Sequence, residues 1–256
     1  VETLVLLLGA FGATSALWSL QMRSRVREDA QRAKQIATWL DEDMQVALAL
    51  AKHAASSRQQ ALSPVHVLYA LVQAESVGTA IRALGGDVAA IEAAIDKELE
   101  QPGATNVDPR EANQLLGTAL GLARAHEREM TLADALNQLA HHPIAKLLDA
   151  PPVSTTSLLF QLVHGDVPPV TLFGETHVHV IVRNDDYTTQ ESVVSILREV
   201  FELSAERAHT AMREAHDQGR AIVGRFAADV AKSKIETARR RARDTGSPLW
   251  LGVEVC

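Results

Sequence analysis

The run His177-Val178-His179-Val180-Ile181-Val182 alternates with the period of two that marks a strand, and no earlier stretch does so. From residue 44 to residue 165 the apolar side chains instead recur at helical spacing. Residues 166–174 separate the two regimes, and Pro168-Pro169 within them disfavours helix continuation. After the strand, residues 188–201 and 204–218 read as amphipathic helices, the second capped by Ser204 and stopped by Gly219. A second strand at 220–226, a third helix at 228–244 and a last strand at 249–255 complete the block. The expected class is α+β, with an all-helical part followed by three strands backed by three helices.

The helical part, residues 44–165, reads as a tandem repeat. In the first copy Val46, Leu48, Leu50 and Ala51 open a helix, and Ser63-Pro64 supplies an N-cap and a first-turn proline for Val67, Leu68 and Leu71. Leu84-Gly85-Gly86-Asp87 stops one helix and caps the next, which carries Val88, Ile91 and Ile95. In the second copy Leu115, Leu116, Leu120 and Leu122 form the opening helix. Thr131 with Asp134 resembles a capping box before Leu136 and Leu139. Leu147-Leu148-Asp149 and residues 153–164 fill the last two places. Units of this size bury their faces poorly alone, so the two copies should pack as one domain.

Residues 3–22 carry no charge and are rich in leucine, alanine and glycine, with Trp18 near one end and Arg23, Arg25 and Arg27 beyond. Twenty helical residues span about 30 Å, which predicts a transmembrane anchor for residues 1–22. The arginines on its C-terminal side predict a single-pass membrane protein with its bulk in the cytoplasm. Residues 23–43 read as a juxtamembrane helix. The single cysteine, Cys256, allows no intramolecular disulfide.

A net charge of −7 argues against a general nucleic-acid footprint. Arg239, Arg240, Arg241 and Arg243 sit at a helix C-terminus, where they complement its dipole. His177 and His179, with His141-His142 elsewhere, lack the ligand set of a zinc site. There is no phosphate loop and no nucleophile motif, so neither an enzyme nor a cofactor is expected. The run Asn184-Asp185-Asp186-Tyr187-Thr188, followed by His216 on a neighbouring helix, is different. Asn184 and Asp185 at a strand exit and a neutral ring nitrogen of His216 are acceptors suited to an ammonium. The same run also reads as a helix N-cap cluster through Asp186 and Thr188.

Those residues, with Met212-Arg213-Glu214-Ala215-His216, Gly219-Arg220-Ala221 and Ser247-Pro248-Leu249, make residues 175–256 resemble the ClpS adaptor family. The resemblance implies a three-stranded antiparallel sheet with three helices. It also implies a non-catalytic role in presenting proteins with destabilising N-terminal residues to a Clp AAA+ unfoldase. It assigns the α-amine to Asn184, Asp185 and His216, and a bulky first side chain to a pocket of Val182, Thr188, Gln190, Val193, Met212, Ala215 and Leu249. Gln190 stands where the family usually has a gating methionine, Thr189 replaces the usual proline before it, and Ala215 is smaller than usual. Asp229 and Lys234 match the charged pair that faces the unfoldase. Ala51, His53, Ala54 and Ser63-Pro64-Val65-His66-Val67-Leu68 make residues 44–165 similar to the Clp R domain of ClpA/ClpC-type unfoldases. The joint expectation is a membrane-tethered adaptor that captures N-degrons and delivers clients to a ClpA/ClpC-like unfoldase. The alternative is a tethered scaffold that keeps both folds without recognising N-degrons. Because these two folds bind each other across chains in the family, the fusion also raises self-docking through the Asp229/Lys234 face.

Overall fold

Asp41 starts the helical domain in the computed structural model, which describes residues 31, 34–101, 108–165 and 177–255. Its carboxylate accepts the Met44 amide at 2.7 Å and caps α1 (Glu42–Ser57). α2 (Pro64–Val72) follows Ser63, with Pro64 in the first turn where an amide would have no helical partner. His66 is wholly buried there. Its Nδ1 lies 2.7 Å from the Ser63 hydroxyl and its Nε2 lies 3.0 Å from Gln60 Oε1. α3 (Glu75–Ala83) ends ahead of Gly85, whose φ of +80° suits a residue without Cβ. Asp87 then caps α4 (Val88–Leu99) by accepting the Ala89 amide at 3.0 Å.

The second copy repeats the plan with α5 (Pro109–Ala125), α6 (Leu132–Leu139) and α7 (Thr155–His164). A short 3₁₀ turn, Pro143–Leu147, takes the place held by α3 in the first copy. Leu68, Leu71, Ile81, Ile91 and Ile95 from one copy and Leu136, Leu139 and Leu158 from the other belong to one continuous core. Neither copy encloses its apolar face alone.

In the C-terminal domain β1 (His177–Arg183) is the central strand, flanked antiparallel by β2 (Arg220–Ala227) and β3 (Trp250–Val255). Val180 pairs with Gly224 and Ile181 with Ile222, so Val223 is an extra residue on β2, a bulge. Val178, Val180 and Val182, two apart and therefore on one face, pack against α8 (Gln190–Phe201), α9 (Ala205–Gln218) and α10 (Ala228–Asp244). Leu197, Phe201, Met212 and Ile235 supply the helical half of that core. Trp250 lies over Gly252, where an added Cβ would come within 2.3 Å of the indole, and Arg183 stacks on the same ring at 4.1 Å.

Two expectations change. No helix among the described residues is long and apolar enough to cross a membrane, so the single-pass membrane location is withdrawn. The segment that suggested it, residues 3–22, lies outside the described residues, as do residues 23–30, 32 and 33 of the stretch read as juxtamembrane. The helix expected from residue 188 begins instead at Gln190. Thr189 caps it, its hydroxyl accepting the Ser192 amide at 3.2 Å, and Thr188 is drawn into the preceding turn.

Candidate functional site

Gly219 brings the two halves of the site together. It ends α9 in the left-handed region, φ +81°, and its carbonyl accepts the Asn184 amide at 2.9 Å. That bond carries the β1–β2 ladder one step past the strand end. It places Asn184 beside the last turn of α9, which bears His216.

The loop at residues 184–189 is shaped by Asp185. Its Oδ1 accepts the amides of Tyr187 at 2.9 Å and Thr188 at 2.6 Å, and its Oδ2 accepts the Thr188 hydroxyl at 2.8 Å. The side chain has no exposed surface, and His164 Nε2 of α7 approaches Oδ2 at 3.9 Å. Burial pushes the carboxyl up, but the contact with His164 and the bonds from Thr188 and Tyr187 outweigh it and leave the group below its ordinary range. Asp185 is therefore an ionised anchor for the turn.

One cavity of about 170 Å³ brings together Asn184, Asp185, His216, Val182, Thr188, Gln190, Val193, Met212, Ala215 and Leu249. Ligand pockets for drug-sized molecules run to about 300–1,000 Å³, so this one has room for about one side chain. Val182, Met212, Ala215 and Leu249 are buried and form its floor, whereas Asn184, Gln190 and His216 are exposed at its rim. A wider and more polar cleft between α8 and α9 adjoins it across Gln190 and Met212.

Four further residues line the cavity: Arg183, Asp186, Thr189 and His126. Asp186 had been read only as a possible cap. Its carboxylate is 32 % exposed, and Oδ2 accepts from Arg128 Nε at 2.7 Å. His126 follows α5 in the helical domain, and nothing in its local sequence marks it as a pocket residue. Spacing along the chain cannot reveal a partner 58 positions away.

Asp229 and Lys234 lie apart from the pocket on α10. Asp229 is exposed, but Lys234 is tied within its own domain, donating to the Val200 carbonyl at 2.6 Å and to Glu202 Oε1 at 2.8 Å. Among the described residues, no hydrogen bond or ion pair joins this pair to the helical domain. The helical domain meets the C-terminal domain at Asp185, Asp186, Tyr187 and Pro248. The self-docking expected through the Asp229/Lys234 face is not among these contacts.

Residues 174–252 match the family model for the ATP-dependent Clp protease adaptor protein ClpS, and residues 40–142 match that for the Clp repeat (R) N-terminal domain. The ATP-dependent Clp protease adapter protein ClpS of Desulforapulum autotrophicum is 46% identical over 75 residues, covering 29% of this chain and 72% of that protein. Its counterpart in Salmonella arizonae is 43% identical over 75 residues, with 29% and 71% covered. The structure of Agrobacterium tumefaciens ClpS2 bound to L-phenylalaninamide is 32% identical and covers 32% of this chain and 98% of that one, with a TM-score of 0.31. The loop, the histidine helix and all of the sheet but the end of β3 fall inside the matched region, and the chain belongs to the ClpS family, with a Clp R domain ahead of the adaptor domain.

Proposed function

We propose that the C-terminal domain captures the free amino terminus of a client protein together with a bulky first side chain, and delivers the client to a Clp AAA+ unfoldase. The cavity carries this reading, because a buried apolar floor meets a polar rim of Asn184, Asp186 and His216. An α-ammonium has three N–H donors. The Asn184 side-chain oxygen, a neutral ring nitrogen of His216 and Oδ1 of Asp186 can each accept one. Asp185 serves behind them, since its oxygens are engaged in holding the loop that presents Asn184 and Thr188. Burying a leucine or phenylalanine side chain on the floor contributes about 1.5–3 kcal/mol. The act is binding and transfer, so no bond is made or broken. We place the unfoldase-facing surface on α10 around Asp229, with Lys234 at its edge.

The test is a calorimetric titration of the full chain with short peptides beginning with Leu, Phe or Trp, each with a free and an acetylated amine. Acetylation removes the cation, and His216→Ala removes one acceptor. Each should cost about 1–3 kcal/mol of affinity. Equal binding of free and acetylated peptides would refute the reading and leave a scaffold without N-degron recognition.

A further inference from the structure

We propose that the helical domain is part of this binding pocket: it supplies His126 as a wall residue and clamps the pocket loop in its working shape through Arg128 and His164. The inference rests on the amine-capture reading and adds to it residues from outside the adaptor domain.

Three consecutive loop residues are gripped from that side. Asp185 has His164 behind it at 3.9 Å. Asp186 binds Arg128 at 2.7 Å and lies 3.8 Å from His126 Nδ1. Tyr187 packs against the core of the helical domain, with the Arg128 guanidinium 6.0 Å from its ring centre. The grip is itself preset. Arg128 spends both terminal nitrogens on Asp134, at 2.7 and 2.8 Å, and Asp134 is 3 % exposed and also accepts the Thr131 amide at 2.8 Å. A guanidinium held by two arms aims its third donor, Nε, in one direction. That direction is Asp186, of which it takes Oδ2 and leaves Oδ1 for another donor.

The floor is held from the same side. His164 Nε2–H donates to the Pro248 carbonyl at 2.8 Å, next to Leu249, and His164 is 8 % exposed. Docking therefore sets both the loop that bears the rim and the backbone that bears part of the floor. The cavity stays open with the domain docked, and His126 lines it without filling it. A docked domain that leaves an open pocket completes the site instead of plugging it. A loop preset before the ligand arrives loses less freedom on binding, so docking and peptide affinity are coupled.

Two full-length variants test this. Arg128→Lys keeps a cation for buried Asp134 but lacks a second arm for Asp186. It should weaken a free-amine Leu peptide about five- to tenfold and speed hydrogen exchange at the Tyr187 and Thr188 amides. His126→Ala should leave those amides protected yet alter affinity about two- to threefold, and unequally among Leu, Phe and Trp peptides, as loss of a wall residue requires. Unchanged affinity and exchange in both variants would overturn the proposal, as would tighter binding, which would mean that the domain obstructs the pocket. If wild-type protein fails to distinguish free from acetylated peptide, the amine reading falls on its own. The clamp is then decided by exchange alone: faster at Tyr187 and Thr188 in Arg128→Lys sustains it, and unchanged rates end it.

Discussion

Replacing Asp185 strikes the loop at its anchor. Asp185→Ala removes the acceptor of three donors, the Tyr187 and Thr188 amides and the Thr188 hydroxyl, at 2.6–2.9 Å. The hydroxyl can turn toward the cavity, but the two amides are fixed by the backbone around a carboxylate with no exposed surface. Hydrogen bonds to a charged group contribute about 1.5–3 kcal/mol each, and donors sharing one acceptor are not additive. We expect a loss of about 3–5 kcal/mol for alanine and about 1–2 kcal/mol for asparagine, which keeps one acceptor oxygen but no charge. The pH dependence separates the charge from the shape. The folded-state pKa of Asp185 lies below its ordinary value of 3.8 because the contact with His164 and the bonds from Thr188 and Tyr187 outweigh burial. The unfolded chain then binds the proton more readily. The stabilisation is complete above the ordinary value and is lost as pH falls through the folded-state value. Urea unfolding of wild type and Asp185→Asn, followed by circular dichroism, should show a gap at about pH 7 that narrows as the pH is lowered past 3.8. A gap of constant size across that range would refute an ionised anchor.

Gly252→Ala drives a methyl to within 2.3 Å of the Trp250 ring, and such overpacking should cost about 1–3 kcal/mol, read as a lower urea midpoint at unchanged slope. An unaltered midpoint would mean that the indole swings away freely. Gln190→Met replaces an exposed rim amide by an adaptable thioether, so the ratio of Leu to Tyr or Trp peptide affinity should rise. A ratio that stays put would remove Gln190 from specificity. Burial foremost, with the nearby Asp134 charge, pushes the Tyr187 phenol up to about 12. The unfolded state loses that proton first, so stability declines as pH climbs past the ordinary value of 10.0. An ultraviolet titration of Tyr187→Phe should lack the late-ionising phenol, and retention of that step would place it elsewhere.

Much of the architecture is written in short-range pattern. Asp41, Ser63-Pro64, Asp87, Thr131 and Ser204 mark helix starts because a cap and its amide lie within one turn. Val178, Val180 and Val182 mark the buried face of a strand because side chains two apart share it. The pocket residues were legible through the resemblance of the Asn184–Thr188 run and His216 to one family. The same run left two uses open for its carboxylates, acceptor or cap, and only the folded chain separates the surroundings of one from those of the other. Asp185 turned inward onto amides two and three residues ahead, while Asp186 turned toward Arg128, and composition treats the two as equals. Lys234 was legible only as half of a charged pair, and its own partner, the Val200 carbonyl, came within reach only when α10 packed beside the end of α8. The junction of the two domains was likewise decided only when two cores met. Cap and period depend on neighbours within a few residues, whereas the partner of a long charged side chain depends on which loops the packed cores bring within its reach.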